Sequence, residues 1–260
     1  MIAEIHNKIS KTGSNLSDRL EDQLTGDFFG AIRYLPFEAA LQHVLTAVRF
    51  ETTDQESDWR ESLQSTKGFD YEIEFWVRLA EGEIDLIIHL PDAVIGIEVK
   101  YYSGLSSDDE ETEEVVSPGE SINQLARYSR LLQELKQGKP AYLIFLAPLN
   151  TLMPVQRDMR TRTIIAKNIK LGFLTWQNVL EQLQSIGLQD LGKGQQRIMQ
   201  DLIAHLLGKG FERFRGFSSV SKDSLMNGQP YTFHKKTMSR LNLLWPIHQK
   251  VQEGNYVYVK

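Results

Sequence analysis

Three charged residues stand where apolar strand residues would be expected. In GEIDLIIHLPDAVIGIEVKYYSG, residues 82–104, Asp85, Glu98 and Lys100 sit inside two runs that otherwise read as buried β-strand. Burying a charge is costly unless it is paired or holds a metal. With Pro91-Asp92 as a two-residue turn, Leu90 pairs with Ala93, Asp85 falls opposite Glu98, and Glu83 falls opposite Lys100. Glu98 and Lys100 are two apart and share a strand face, while Val99 points the other way. Directly opposed carboxylates destabilise a sheet, so two of them beside a lysine imply a bound cation. Mg²⁺ suits such a pair, because it is held by one or two carboxylates with waters and substrate phosphate completing its shell. The other arrangement open to these residues is a Glu83–Lys100 salt-bridge lattice with no ion.

The elements that must position these groups can be read on either side. NLSDRLEDQLTGDFFGAIRYLP (15–36) has Leu20, Leu24, Phe28, Ala31 and Leu35 at helical spacing, Ser17 as a cap and Pro36 as a stop. FEAALQHVLTAVRF (37–50) reads as a second helix and the polar stretch 51–68 as a loop. Strands are expected at 71–80, 83–90 and 93–102, separated by Glu81-Gly82 and Pro91-Asp92. The acidic stretch SSDDEETEEVVSPGE (106–120) is too polar to pack and is expected to be a mobile loop. A helix at 121–138, strands at 141–148 and 169–176, and helices at 176–185 and 194–210 follow. This order gives an α/β or α+β chain with a mixed central sheet flanked by helices.

Asp85, twelve intervening residues and then Glu98-Val99-Lys100 resemble the core motif of PD-(D/E)XK nucleases. Glu134-Leu135-Lys136 also fits Glu-x-Lys, but on a helix, where residues two apart do not face each other. Gln124-Leu-Ala-Arg-Tyr128 is similar to the Gln-x-x-x-Tyr element of RecB-like members, and Glu21 stands in the first helix where many members carry a further acid. The resemblance covers about residues 15–176. It departs at Gly82-Glu83-Ile84, where relatives have a proline before the aspartate, and Pro91-Asp92 is a turn rather than that motif.

The resemblance implies a restriction-endonuclease-like mixed sheet and a metal-dependent nuclease acting on DNA, as in restriction, phage defence or repair. Asp85, Glu98, the Val99 carbonyl and Glu21 would ligate Mg²⁺, with Mn²⁺ as a substitute. Lys100 would orient the attacking water or stabilise charge on the phosphate, and Gln124 and Tyr128 would contact the site or the DNA backbone. Asp22 replaces Glu21 if the helix is rotated. The alternative is a catalytically inactive module of the same fold that binds nucleic acid or protein.

Composition sets the remaining bounds. The 260-residue chain has no cysteine, which excludes disulfides, thiolate nucleophiles and cysteine-zinc sites. No apolar run reaches the roughly 20 residues of a membrane span, and MIAEIHNKISKTGSN has no apolar signal core, so a cytoplasmic location without membrane partners is expected. Residues 1–150 carry 13 Lys+Arg against 27 Asp+Glu, and residues 151–260 carry 16 against 7. Such a split accompanies polyanion binding or two halves that attract each other. The domain division expected is a nuclease core at 1–180 with the acidic loop inserted, and a mainly helical, basic region at 181–260 that binds DNA or a partner. The assembly leaves room for a homodimer or a partner subunit.

Overall fold

The computed structural model describes Ile5, residues 16–109 and residues 116–213. Helix α1 spans Leu16–Ile32, a 3-10 turn Phe37–Ala39, α2 Leu41–Thr46 and α3 Thr53–Gln64. Strands β1 Glu72–Leu79, β2 Gly82–His89 and β3 Val94–Val99 follow, then α4 Gln124–Leu135, β4 Ala141–Ala147, α5 Leu149–Met159 and β5 Ile169–Thr175. The described chain ends with α6 Trp176–Ser185, a 3-10 turn Leu188–Asp190 and α7 Lys193–Gly208. The five strands form one sheet in the order β1-β2-β3-β4-β5. The first three are an antiparallel meander, and β3, β4 and β5 run parallel. This is an α/β fold with a mixed sheet flanked by helices on both faces, as a restriction-endonuclease-like core requires.

Each face is covered by its own apolar cluster. Leu24, Phe28, Trp59, Trp176 and Leu202 pack from α1, α3, α6 and α7 against Leu86, Ile88, Ile95 and Ile97. On the other face, Leu125, Leu131 and Leu132 of α4 and Leu152 and Met159 of α5 meet Ile87, Val94, Leu143 and Phe145. β3 and β4 are buried along their whole length, as expected of strands covered on both faces.

Gly96 sets how closely α4 approaches the sheet. A Cβ there would lie 2.7 Å from Ile84 Cδ1 and 2.8 Å from Leu132 Cδ1. Gly96→Ala is therefore expected to cost about 1–3 kcal/mol by overpacking, read as a lower midpoint in denaturant unfolding. An unchanged midpoint would show that α4 is not seated on this glycine.

Several expectations need correction. The stretch read as loop contains α3: Thr52 accepts the Gln55 N–H through its hydroxyl, and Trp59 and Leu63 are buried although the rest of the helix is polar. The helix expected at 37–50 is a 3-10 turn and a short α-helix, broken at Ala40 (φ −149°). The first helix stops at Ile32, before Pro36, and the Ser17 side chain lies outside the described residues. Helix α7 and Phe211 pack into the core, so the boundary expected at 180 falls inside one compact unit, Met1–Phe214. Residues 214–260, most of the basic region expected to bind DNA or a partner, lie outside the described residues.

The ends of the acidic stretch are packed rather than loose. Arg162 pairs with Asp108 at 2.7 Å and Asp109 at 2.6 Å, and Arg130 donates to the Pro118 and Ser121 carbonyls. Only its middle, residues 110–115, lies outside the described residues.

Candidate active site

The β2–β3 hairpin has the expected register: His89 faces Val94, Ile88 faces Ile95, and Leu86 faces Ile97. The ladder stops there. At the next rung the Asp85 Oδ2 accepts the Val99 N–H at 2.8 Å, a side chain replacing a backbone partner. Across β1, Trp76 has a φ of 48°, and the regular pairs Phe75–Leu86 and Val77–Ile84 flank this rung. A left-handed conformation is a genuine outlier for a bulky residue in a strand. Its effect is visible in the packing, because Phe75, Trp76 and Leu86 enter one core cluster while Ile84 and Val77 enter the other. Both strands turn over at Asp85, which points its carboxylate toward Val99 and the end of β3.

Glu98 and Lys100 are almost wholly buried, and Lys100 Nζ lies 2.7 Å from Glu98 Oε1. Glu83 does not meet Lys100. It pairs instead with Arg78, its ladder partner on β1, at 3.0 Å, so the ion-free Glu83–Lys100 lattice is not what forms.

Glu21 on α1 reaches the second side of Lys100. Its Oε1 accepts from Lys100 Nζ at 3.1 Å, and its Oε2 accepts from the Tyr101 N–H at 2.8 Å and Ser103 Oγ at 2.9 Å. With both oxygens engaged, Glu21 stands as the holder of Lys100 and of the chain after β3. The Trp176 indole N–H donates to the Lys100 carbonyl at 3.1 Å and fixes the same residue from behind.

Gln124 and Tyr128 project from the first turns of α4, which Asn123 caps by accepting from the Leu125 and Ala126 N–H groups. Gln124 Nε2 donates to Glu98 Oε1 at 2.6 Å and to Tyr128 Oη at 3.0 Å, while its Oε1 accepts from the Ser106 N–H. Tyr128 Oη donates to the Glu83 carbonyl. Both side chains are buried. They orient Glu98 and tie α4 to β2 instead of reaching outward.

These residues line one open cleft of about 410 Å³, together with Asp22, Glu83 and the segment Ser103–Ser106. Burial, and secondarily the charge of Glu21, push the Asp85 carboxyl up to about 6 against the pull of Lys100. Burial and the neighbouring Asp85 push Glu98 well above the usual carboxylate range. Burial works against the charge of Lys100, but Glu98, Glu21 and Asp85 outweigh it and hold its pKa above the ordinary lysine value. Lys100 is therefore a fixed cation at neutral pH and not a proton acceptor.

With Asp85 and Glu98 both ionised beside Glu21 and one ammonium, the state that a bound cation would favour, the cluster would carry two negative charges, the complement of one divalent cation. Among the described residues, no group of three or more His, Asp or Glu side chains converges to hold a metal. The fit is of another kind: buried Glu98 and half-buried Asp85 both line the cleft, and the charge of Asp85 helps raise the Glu98 pKa. Mg²⁺ bound by one or two carboxylates with waters and phosphate needs no more than that.

Sheet and helices form an α/β fold consistent with a restriction-endonuclease-like core. Residues 51–150 match the family described as nuclease-related domain, NERD, which belongs to the PD-(D/E)XK-like nuclease superfamily. The matched stretch, similar to a nuclease-related domain, contains Asp85, Glu98, Lys100, Gln124 and Tyr128. Glu21 and Trp176 lie outside the matched stretch. No curated protein and no solved structure matches the chain. Among the described residues no helix is long and apolar enough to cross a membrane.

Spacing alone does not reveal Ser103, Ser106, Trp76 or Trp176. The first two act through one hydroxyl and one N–H at the end of β3, and the tryptophans read as ordinary core.

Proposed function

We propose that the protein is a Mg²⁺-dependent deoxyribonuclease that hydrolyses phosphodiester bonds, with Mn²⁺ able to replace Mg²⁺, in a setting such as restriction, phage defence or repair. The observation that carries this reading is the pair of half-buried Asp85 and buried Glu98 beside a charged lysine, lining an open cleft in the stretch similar to a nuclease-related domain. Asp85 and Glu98, with the Val99 carbonyl, would hold the ion. When bound, the ion supplies a water of lowered pKa and countercharge for the phosphate. Lys100 donates to the phosphate oxygens or to the attacking water, and its charge opposes the negative charge that builds there. Glu21 keeps that ammonium aimed into the cleft. Gln124 and Tyr128 fix the Glu98 rotamer, so the carboxylate needs no reorganisation during the reaction.

The test is a gel of the purified chain with linear, circular and single-stranded DNA, in EDTA, Mg²⁺ and Mn²⁺, beside Asp85→Ala. Cleavage that needs the divalent ion and disappears in the variant is expected. DNA bound but intact in every lane would mean that the fold serves as a binding module.

A further inference from the structure

The chain leaving the catalytic strand carries two tyrosines that the proposed chemistry does not use. Tyr101 is the inner one: it is buried, packs against Phe211, and donates from its hydroxyl to the Lys209 carbonyl. Tyr102 is the outer one, and 65% of its surface is exposed. The two rings lie 3.9 Å apart between centroids and 38° from parallel, and the Tyr102 hydroxyl donates to that of Tyr101 at 3.0 Å. The outer ring is thus held in place by the inner one while its far face stays open to solvent. Along the chain the pair stands between Lys100 and Ser103, which both line the cleft, while the two rings lie outside that lining.

Tyr101 fills the core position, and Tyr102 packs against it, leaving most of its own surface exposed. The cleft has a clear use for it. Five carboxylates line the cleft, from Glu21, Asp22, Glu83, Asp85 and Glu98. Lys100, the lysine among them, is committed to Glu21 and Glu98. Without a bound cation, phosphate attraction in this cleft is therefore weak, and contacts to the bases can add to the hold on a strand. Aromatic rings make such contacts by stacking, which every base permits. The Lys209 ammonium, 5.2 Å from the Tyr101 ring centroid, adds one cation beside the pair.

Resting on the nuclease reading above, we propose that the Tyr101–Tyr102 pair is a stacking platform beside the scissile phosphate, and that the preferred substrate is DNA with unpaired bases: a single strand, an overhang or a frayed end. In an intact duplex each base face is covered by its neighbours, so only an unpaired or terminal base can lie on the exposed Tyr102 ring.

Fluorescence anisotropy of the full chain in EDTA at low salt tests this, with a labelled oligothymidylate and a blunt duplex of equal length. The oligothymidylate is expected to bind more tightly than the duplex. Tyr102→Ala is expected to weaken it about tenfold, the loss of one stacked base, and to leave duplex binding unchanged. Tyr102→Phe is expected to retain most of the affinity, because stacking needs the ring and not the hydroxyl. Wild-type affinity in Tyr102→Ala, an equal loss for both DNAs, or no oligothymidylate binding by the wild type would each overturn the platform. Cleavage assays keep the two ideas separate. A chain that cuts DNA but whose oligothymidylate affinity ignores Tyr102→Ala loses only the platform. One that shows the Tyr102 effect but never cuts loses only the proposed activity.

Discussion

Glu98→Gln and Lys100→Ala are each expected to lower metal-dependent DNA cleavage by about a thousandfold or more. Removing one preorganised group that stabilises transition-state charge costs about 10²–10³ in rate, and each of these side chains also organises its neighbours. Glu98→Gln is the more informative substitution. The amide keeps an oxygen for Lys100 and Gln124, so the contacts at 2.7 and 2.6 Å can persist while one negative charge disappears. Metal affinity measured by calorimetry should fall with the rate. Lys100→Ala should instead retain metal binding, because it leaves Asp85 and Glu98 in place, and lose rate. Gln124→Ala acts only through the orientation of Glu98 and should cost about tenfold, with weaker metal binding as its signature. A Glu98→Gln enzyme that cleaves at the wild-type rate would remove Glu98 from the chemistry.

The parts of this site that were legible in the sequence are those fixed by period and by local turns. Alternation along β2 and β3 and the Pro91-Asp92 turn set the hairpin register, which the structure reproduces from Leu86–Ile97 to His89–Val94. The four-residue spacing of Gln124 and Tyr128 put both on one helix face, and both point at the cleft. The rung at Asp85 was not legible. Nothing in YEIEFWVRLA marks Trp76 as left-handed, since a tryptophan in a strand pattern reads as extended core. The register carried past Leu86 therefore set Glu83 against Lys100, whereas the turn-over at Asp85 leaves Glu83 with Arg78. Glu21 shows a different limit. An acid on an amphipathic helix looks the same whether it is solvated or buried, and only tertiary packing across 79 positions of chain brings it to Lys100. Helix α3 escaped because its apolar signal is almost confined to Trp59 and Leu63, and its start depends on the Thr52 cap.

Asp85→Asn is expected to make the metal-free protein more stable at neutral pH while abolishing its activity. The folded chain holds the Asp85 proton up to about pH 6, against an ordinary value of 3.8. Between these values the folded state binds more protons than the unfolded one, so stability falls as pH rises through this window and stays reduced above it. Two pKa units correspond to about 3 kcal/mol, a ceiling here because Asp85 keeps some solvent contact. Asparagine retains an oxygen to accept the Val99 N–H and removes the charge. The variant should therefore exceed the wild type by about 1–3 kcal/mol in urea unfolding at pH 8 in EDTA, and the gap should close near pH 4. Glu98, raised by burial and by Asp85, works in the same direction, so its own pH dependence should soften once Asp85 is neutral. Mn²⁺ should reverse the order, stabilising the wild type by mass action and the variant much less. Equal stability of the two proteins at pH 8 and pH 4, with no response to Mn²⁺, would mean that this carboxylate pair is already compensated without an ion and that the cleft was not built to hold one.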